Sequence, residues 1–305
     1  MTQPTKSHEI TTTHMLLEPK FLARLEYLSL ISRRVFRGRL LAQRRTKQLG
    51  GGIEFADHRE YSPGDDLRYV DWQIYARHGD VLLKRFQEEE DLHVYILLDV
   101  SPSMNMGEPN KFDYARQIAA AMAYIALADL DRVSILAYAD AVRSWQPLTR
   151  GKDQVLGVLR FLDRLESGGG RTDLAAVAKT LLHRAPRTGL VLIISDLYDQ
   201  DGFRRGVDLL RQRRFEPHLI QVHTTEEAAP NLLGEIELED IETGVDRKVI
   251  ITESRLKEYR KRFAEFLQSI EIYCRNYGLS CTHSTTDVPF DELILRMMRA
   301  AGVMT

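Results

Sequence analysis

Apolar and polar positions fall into blocks whose period changes along the chain, and the changes mark its elements. His93-Val94-Tyr95-Ile96-Leu97-Leu98 is an unbroken β-rich run that stops at Asp99 and gives way to Val100-Ser101-Pro102-Ser103-Met104. Such a run predicts a strand of a parallel sheet, buried on both faces. Gly189-Leu190-Val191-Leu192-Ile193-Ile194-Ser195-Asp196 repeats the arrangement and also ends on a carboxylate. Helical spacing predicts helices over 111–128, 154–165, 174–183, 203–214, 256–277 and 290–301. Strands are predicted over 218–223 and 279–283, a hairpin over 133–138 and 142–148 joined at Asp140, and a second hairpin around Thr243-Gly244. Strands that alternate with helices predict an α/β, doubly wound, mostly parallel sheet, here with a β-hairpin inserted at about 234–252.

Upstream of this body the pattern is weaker. Residues 1 to about 14 are polar, and a disordered tail is expected over 1–17. Phe21, Leu22, Leu25, Leu28, Ile31, Val35 and Leu40 recur near helical spacing, which predicts one or two amphipathic helices divided at Gly38. The same stretch carries Arg33, Arg34, Arg37, Arg39, Arg44, Arg45 and Lys47. With no aromatic interleaving, these read as a solvated face in preference to a phosphate or membrane patch. From Gly50 to Trp72, acids and bases alternate closely with aromatics, and Pro63-Gly64 marks a turn. One reading makes Asp65, Asp66, Arg68, Asp71 and Trp72 a partner-binding surface. The favoured reading is an ion-pair network with Tyr61 and Trp72 packed beneath it, clamping the N-terminal segment onto the main domain. A strand over 81–86 and an acidic turn over 88–91 complete an N-terminal extension, 18–91, ahead of the main domain, 92–305.

Composition narrows the class. The chain has 305 residues, 44% hydrophobic and 28% charged, with a formal net charge of -2, so no basic field argues for nucleic acid. Two cysteines, Cys274 and Cys281, make neither a disulfide framework nor a zinc pattern and suit a reducing cytoplasm. The N-terminus lacks a secretory core, and the most apolar stretch, 118–130, is too short to span a bilayer, so no integral membrane segment is expected. Gly50-Gly51-Gly52 is followed by no Gly-Lys-Ser or Gly-Lys-Thr, so no ATP-binding loop is expected either.

Asp99, Ser101 and Ser103 follow one predicted strand, Asp196 ends another, and Thr172 follows Gly168-Gly169-Gly170 at a helix start. In an open α/β sheet, the carboxyl ends of the strands are where ligands bind. Any one of these residues alone would be a helix cap. Together they are five hard oxygen donors without thiol or imidazole, which suits Mg²⁺ or Mn²⁺. His58, His93, His183 and His223 show no ligand spacing and read as structural.

The pattern Asp99-x-Ser101-x-Ser103, then Thr172, then Asp196 resembles the metal-ion-dependent adhesion site of the von Willebrand factor A domain over residues 92–305. The resemblance implies Ser101, Ser103 and Thr172 as direct ligands, with Asp99 and Asp196 acting mainly through metal-bound water. Upstream, Tyr61-Ser62-Pro63-Gly64-Asp65-Asp66-Leu67-Arg68-Tyr69-Val70-Asp71-Trp72, with Ala76-Arg77 and Lys84-Arg85-Phe86, resembles the bacterial domain-of-unknown-function fifty-eight family. That likeness implies a MoxR-type AAA+ ATPase as partner and an adaptor role toward a client protein. The competing class is a Mg-dependent phosphohydrolase of haloacid-dehalogenase type, with Asp99 as nucleophile. It needs a general-acid Asp two residues on, where this chain has Ser101.

Overall fold

The computed structural model describes residues 15–32, 49–87, 92–199, 202–239, 241 and 246–300. In chain order the strands are β1 (Leu49–Glu60), β2 (Leu82–Gln87), β3 (His93–Asp99), β4 (Arg132–Tyr138), β5 (Val142–Arg150), β6 (Leu190–Ser195), β7 (Glu216–His223), β8 (Gly234–Glu239), β9 (Asp246–Ile251) and β10 (Ser280–Thr285). The helices are α1 (Pro19–Ser32), α2 (Trp72–His78), α3 (Lys111–Ala128), α4 (Val155–Asp163), α5 (Leu174–Arg184), α6 (Phe203–Gln212), α7 (Thr225–Ala228), α8 (Glu253–Asn276) and α9 (Phe290–Ala300). They divide between two compact units, one holding 15–30 and 92–297, the other 31–32, 49–87 and 298–300.

In the first unit a six-stranded sheet runs β10-β7-β6-β3-β4-β5. All neighbours are parallel except the edge pair β4–β5. All seven residues of β3 are buried, because the sheet is covered on both sides. On one face Tyr95, Leu97, Leu136, Tyr138, Val191, Ile193 and Leu219 pack against α5, α6 and α8. On the other face, Ile96, Ile135, Leu192 and Ile220 are equally buried, and α3 lies across these strands. Helix α3 starts where the Asn110 side chain accepts the Phe112 and Asp113 amides at 2.9 and 3.2 Å, and it ends before Leu130, whose φ is 65°. Helices α5 and α6 approach so closely that a Cβ at Gly206 would fall 2.6 Å from Leu174 Cγ. Only glycine fits that crossing.

The chain leaves β3 toward β4 on one side and returns through β6 on the other, so β3 and β6 flank the point where the winding reverses. Loops after these two strands meet there, the usual ligand position in such sheets. The inserted hairpin is β8–β9, in register from Gly234↔Ile251 to Glu239↔Asp246.

In the second unit, β1 and β2 form an antiparallel pair with two register shifts, and Val70 bridges to Leu83. Neither β1 nor α2 is legible in the sequence. The glycine triplet and dense charge of 50–60 conceal the strand, and seven residues are too few to show a helical period.

Several expectations change. The polar tail is not disordered to residue 17: Met15–Leu17 form a 3₁₀ turn with Leu16 buried. The extension 18–91 is not one piece, since 15–30 groups with the sheet; Phe21 packs on Phe290 at 5.0 Å between ring centroids, and Arg24 pairs with Asp291. Trp72 does not pack beneath the charged segment and is 59% exposed. Val70 and Leu83, each 4% exposed, fill the buried positions instead. Residues 1–14, the basic run 33–47 with Gly38, the acidic turn 88–91 and the Thr243-Gly244 turn lie outside the described residues.

Candidate functional site

Asp99 ends β3 with no exposed surface. One carboxylate oxygen accepts the Ser101 amide at 2.9 Å, and the other accepts the Ser195 hydroxyl at 2.6 Å and that of Thr172 at 3.4 Å. The Ser101 and Ser103 hydroxyls lie 3.1 Å apart. Parallel pairing of β3 with β6, Leu98 opposite Ile194, sets Ser195 level with Asp99. The Thr172 loop is held over the same strand ends: the Gly168 amide donates to the Val100 carbonyl at 2.6 Å and the Asp173 amide to the Ala139 carbonyl at 3.0 Å. Asp173 then caps α5 through the Ala176 amide at 2.8 Å.

Asp196 follows directly after β6 and is fully buried. It accepts the Tyr198 amide at 3.1 Å on one oxygen and the Lys111 ammonium at 2.9 Å on the other. Lys111 Nζ also donates to Glu227 at 2.6 Å and sits 5.1 Å from the centre of the Tyr198 ring. Glu227 reaches back from α7 to the Thr224 amide at 2.8 Å, completing a capping box. Burial, and then the Asp196 charge, raise the Asp99 pKa. Burial opposes the charge on Lys111, but Asp196 and Glu227 outweigh it and raise its pKa.

The site therefore holds two carboxylates in mutual repulsion among four hydroxyls, those of Ser101, Ser103, Thr172 and Ser195. Beside them the Tyr138 hydroxyl is buried close to Ser195, its pKa pushed well above the ordinary value by burial and then by Asp99. A hard cation held by Asp99, Ser101, Ser103, Thr172 and Asp196 would relieve that repulsion, so the donor set fits Mg²⁺ or Mn²⁺. Among the described residues no three His, Cys, Asp or Glu side chains converge as a metal site.

Sequence reasoning missed Ser195, Lys111 and Glu227. Ser195 was within reach, since a parallel register puts the residue before Asp196 beside Asp99. Lys111 and Glu227 carry no local signal: their partners lie 85 and 116 residues apart in sequence.

The other candidates lie in the second unit and mostly serve each other. Asp65 takes Arg59 at 2.6 Å and the Ser62 amide at 2.8 Å, and Asp66 takes Arg68 at 2.6 Å. Asp71 caps α2 through the Gln73 and Ile74 amides and pairs with His58 at 3.0 Å and Lys84 at 3.4 Å. His58 above all holds the Asp71 pKa down to about 2. Trp72 stands exposed, edge-on to Tyr75 at 6.1 Å.

Residues 57–269 match the family described as "Protein of unknown function DUF58". The uncharacterized protein Rv1480 of Mycobacterium tuberculosis (strain ATCC 25618 / H37Rv) is 26% identical over 88% of this chain and 86% of its own. Among solved structures, an aerotolerance-related membrane protein from Bacteroides fragilis aligns with TM-score 0.46 at 13% identity, covering 70% of this chain and all of that one. BatB from Bacteroides thetaiotaomicron aligns with TM-score 0.43 at 14% identity, covering 68% and 99%. Proximal thread matrix protein 1 from the mussel byssus, solved with a zinc-occupied MIDAS motif, aligns with TM-score 0.41 at 14% identity, covering 69% and 46%. Among the described residues no helix is long and apolar enough to cross a membrane.

Proposed function

The chain belongs to the DUF58 family, and from that premise we propose that it is a non-enzymatic, metal-dependent protein-binding module built on a von Willebrand factor A-like sheet. It works in the cytoplasm as an adaptor or co-chaperone that positions a client for a MoxR-type AAA+ ATPase. The observation that carries this reading is the convergence of Asp99, Ser101, Ser103 and Thr172 within hydrogen-bonding distance at the sheet's reversal point, with Asp196 ending the next strand. Ser101, Ser103 and Thr172 are the direct ligands of Mg²⁺ or Mn²⁺, and Asp99 and Asp196 hold its waters. When bound, the ion supplies positive charge that neutral hydroxyls leave uncancelled, and so a place for a partner's carboxylate. The chain orients that place with two rigid strand ends and a pinned loop. ATP hydrolysis belongs to the partner, since this sequence has no Gly-x-x-x-x-Gly-Lys-Ser/Thr.

The phosphohydrolase alternative needs Asp99 free to attack. Both its oxygens accept hydrogen bonds inside the protein, and Ser101 stands where the acid is required. The test is capture of a MoxR-type AAA+ ATPase by this chain from an extract of its native host. Capture is expected with Mg²⁺, and is expected to weaken in EDTA and in Ser101→Ala/Ser103→Ala. Capture indifferent to both treatments would show that the ATPase docks elsewhere.

A further inference from the structure

Lys111 is the first residue of α3, the end of a helix where the backbone dipole repels a cation. Its side chain has no exposed surface, and ordering and burying so long a chain costs both entropy and hydration. It is compensated by two carboxylates of different standing. Asp196 is part of the candidate metal centre, whereas Glu227 belongs to the capping box of α7 and takes no part in that centre. The ammonium is thus shared between the centre and a neighbour outside it.

We propose that Lys111 is a built-in rival of the divalent ion for Asp196, and that Glu227 sets how strongly it competes. The inference rests on the metal-dependent reading above. A divalent ion held at Asp196 brings two positive charges close to Lys111 Nζ, and in a buried site that repulsion is little screened. Glu227 gives the ammonium a second partner, so it leans away from Asp196 without losing its only counter-charge. The pair therefore tunes ion affinity in opposite directions: Lys111 weakens it and Glu227 restores it. The affinity is held low, and an added anionic group from a partner makes a large relative difference to occupancy.

Mg²⁺ titration calorimetry on the full chain, with thermal melts at the same Mg²⁺ concentrations, tests this. Lys111→Met is expected to bind Mg²⁺ about tenfold more tightly than wild type, the removal of one nearby like charge. Its melting temperature is expected to rise further on adding Mg²⁺ than that of wild type. Glu227→Gln is expected to bind several-fold more weakly. The double variant Lys111→Met/Glu227→Gln, which removes one charge of each sign, is expected to return near the wild-type affinity, and it keeps the test open if Lys111→Met alone fails to fold. A purely structural role for the pair would weaken binding in both single variants, and that result overturns the inference while leaving the metal centre standing. Absence of Mg²⁺ binding in wild type and in every variant overturns the metal-dependent reading and the inference with it.

Discussion

Asp99 and Asp71 are both buried aspartates beside hydroxyl- or aromatic-bearing loops, and their surroundings are opposite. Asp71 is completed by its own unit: two amides, an imidazole and an ammonium face it, and its pKa falls to about 2. Asp99 faces another carboxylate across the sheet's reversal point, and its pKa rises. Opposite charges close by stabilise a carboxylate, while burial and a like charge leave it in want of a cation. Charge density alone does not mark a site. The second unit is the more densely charged in sequence, yet its charges are spent on capping and pairing, while the sparser first-unit cluster has donors left to offer.

The comparison breaks most sharply on metal binding. Asp99→Ala is expected to reduce Mg²⁺ affinity by about 100-fold, as loss of a group that holds a metal's outer shell does, with an unchanged far-ultraviolet spectrum. Asp71→Ala is expected to leave that affinity unaltered, and calorimetry on both variants separates the two acids directly. Equal affinity in Asp99→Ala and wild type would remove the centre from the sheet's edge.

Acid separates the units next. His218 on β7 is held neutral by burial, its pKa lowered to about 4. Above pH ~6.5 it is neutral folded or unfolded; as pH falls from there toward 4 only the unfolded chain takes the proton. The His218 contribution to the first unit, up to about 3 kcal/mol, is thus expected to be lost across that window, opposed by Asp99, whose raised pKa favours the folded state as pH falls, whereas the contribution of Asp71, present above its unfolded pKa of 3.8, is lost only from there down through about 2. Urea melts of wild type and His218→Gln from pH 7 to 4, followed by hydrogen exchange in each unit, isolate that contribution: His218→Gln is expected to gain in stability relative to wild type as pH falls.

A smaller effect sharpens the contrast. Asp99→Asn keeps the shape and removes the buried charge, so in EDTA it is expected to stabilise the first unit by about 1 kcal/mol, the usual exchange of function for stability. Asp71→Ala removes a helix cap and two ion pairs and is expected to lower the second unit's melting temperature by a few degrees, read by hydrogen exchange over 57–84.

Much of the first unit was legible because burial on both faces writes itself as an unbroken apolar run: β3, β6 and the full extent of α3 follow from that pattern. Asp99, Ser101, Ser103 and Asp196 stand out in the sequence because each lies at or just beyond the end of such a run, and Thr172 because a glycine triplet opens its loop. Legibility failed wherever a residue's role depends on a distant partner. Lys111, read alone at a helix start, is a surface residue, and only the meeting of α3 with Asp196 and Glu227 makes it internal. Trp72, large and aromatic, invited burial, but the short helix α2 leaves it outside while modest Val70 and Leu83 close the interior. Strand β1 stayed hidden because glycine and charge, which ordinarily break strands, are tolerated in a bulged two-stranded pair.

The reversal of the sheet at β3 also sets an order of events during synthesis. Strands β3, β4 and β5 with α3 are neighbours in sequence and pair as soon as they leave the ribosome, whereas Ser195 reaches Asp99 only across 96 residues. Local contacts close quickly and distant parallel pairings slowly. Asp99, Ser101 and Ser103 are consequently in place first, with one flank of β3 open until β6 arrives, and a nascent chain halted between residues 150 and 190 carries an unpaired apolar strand edge. The same step that covers this flank of β3 brings Asp196 into place, so the five residues first stand together only once β3 is paired on both sides.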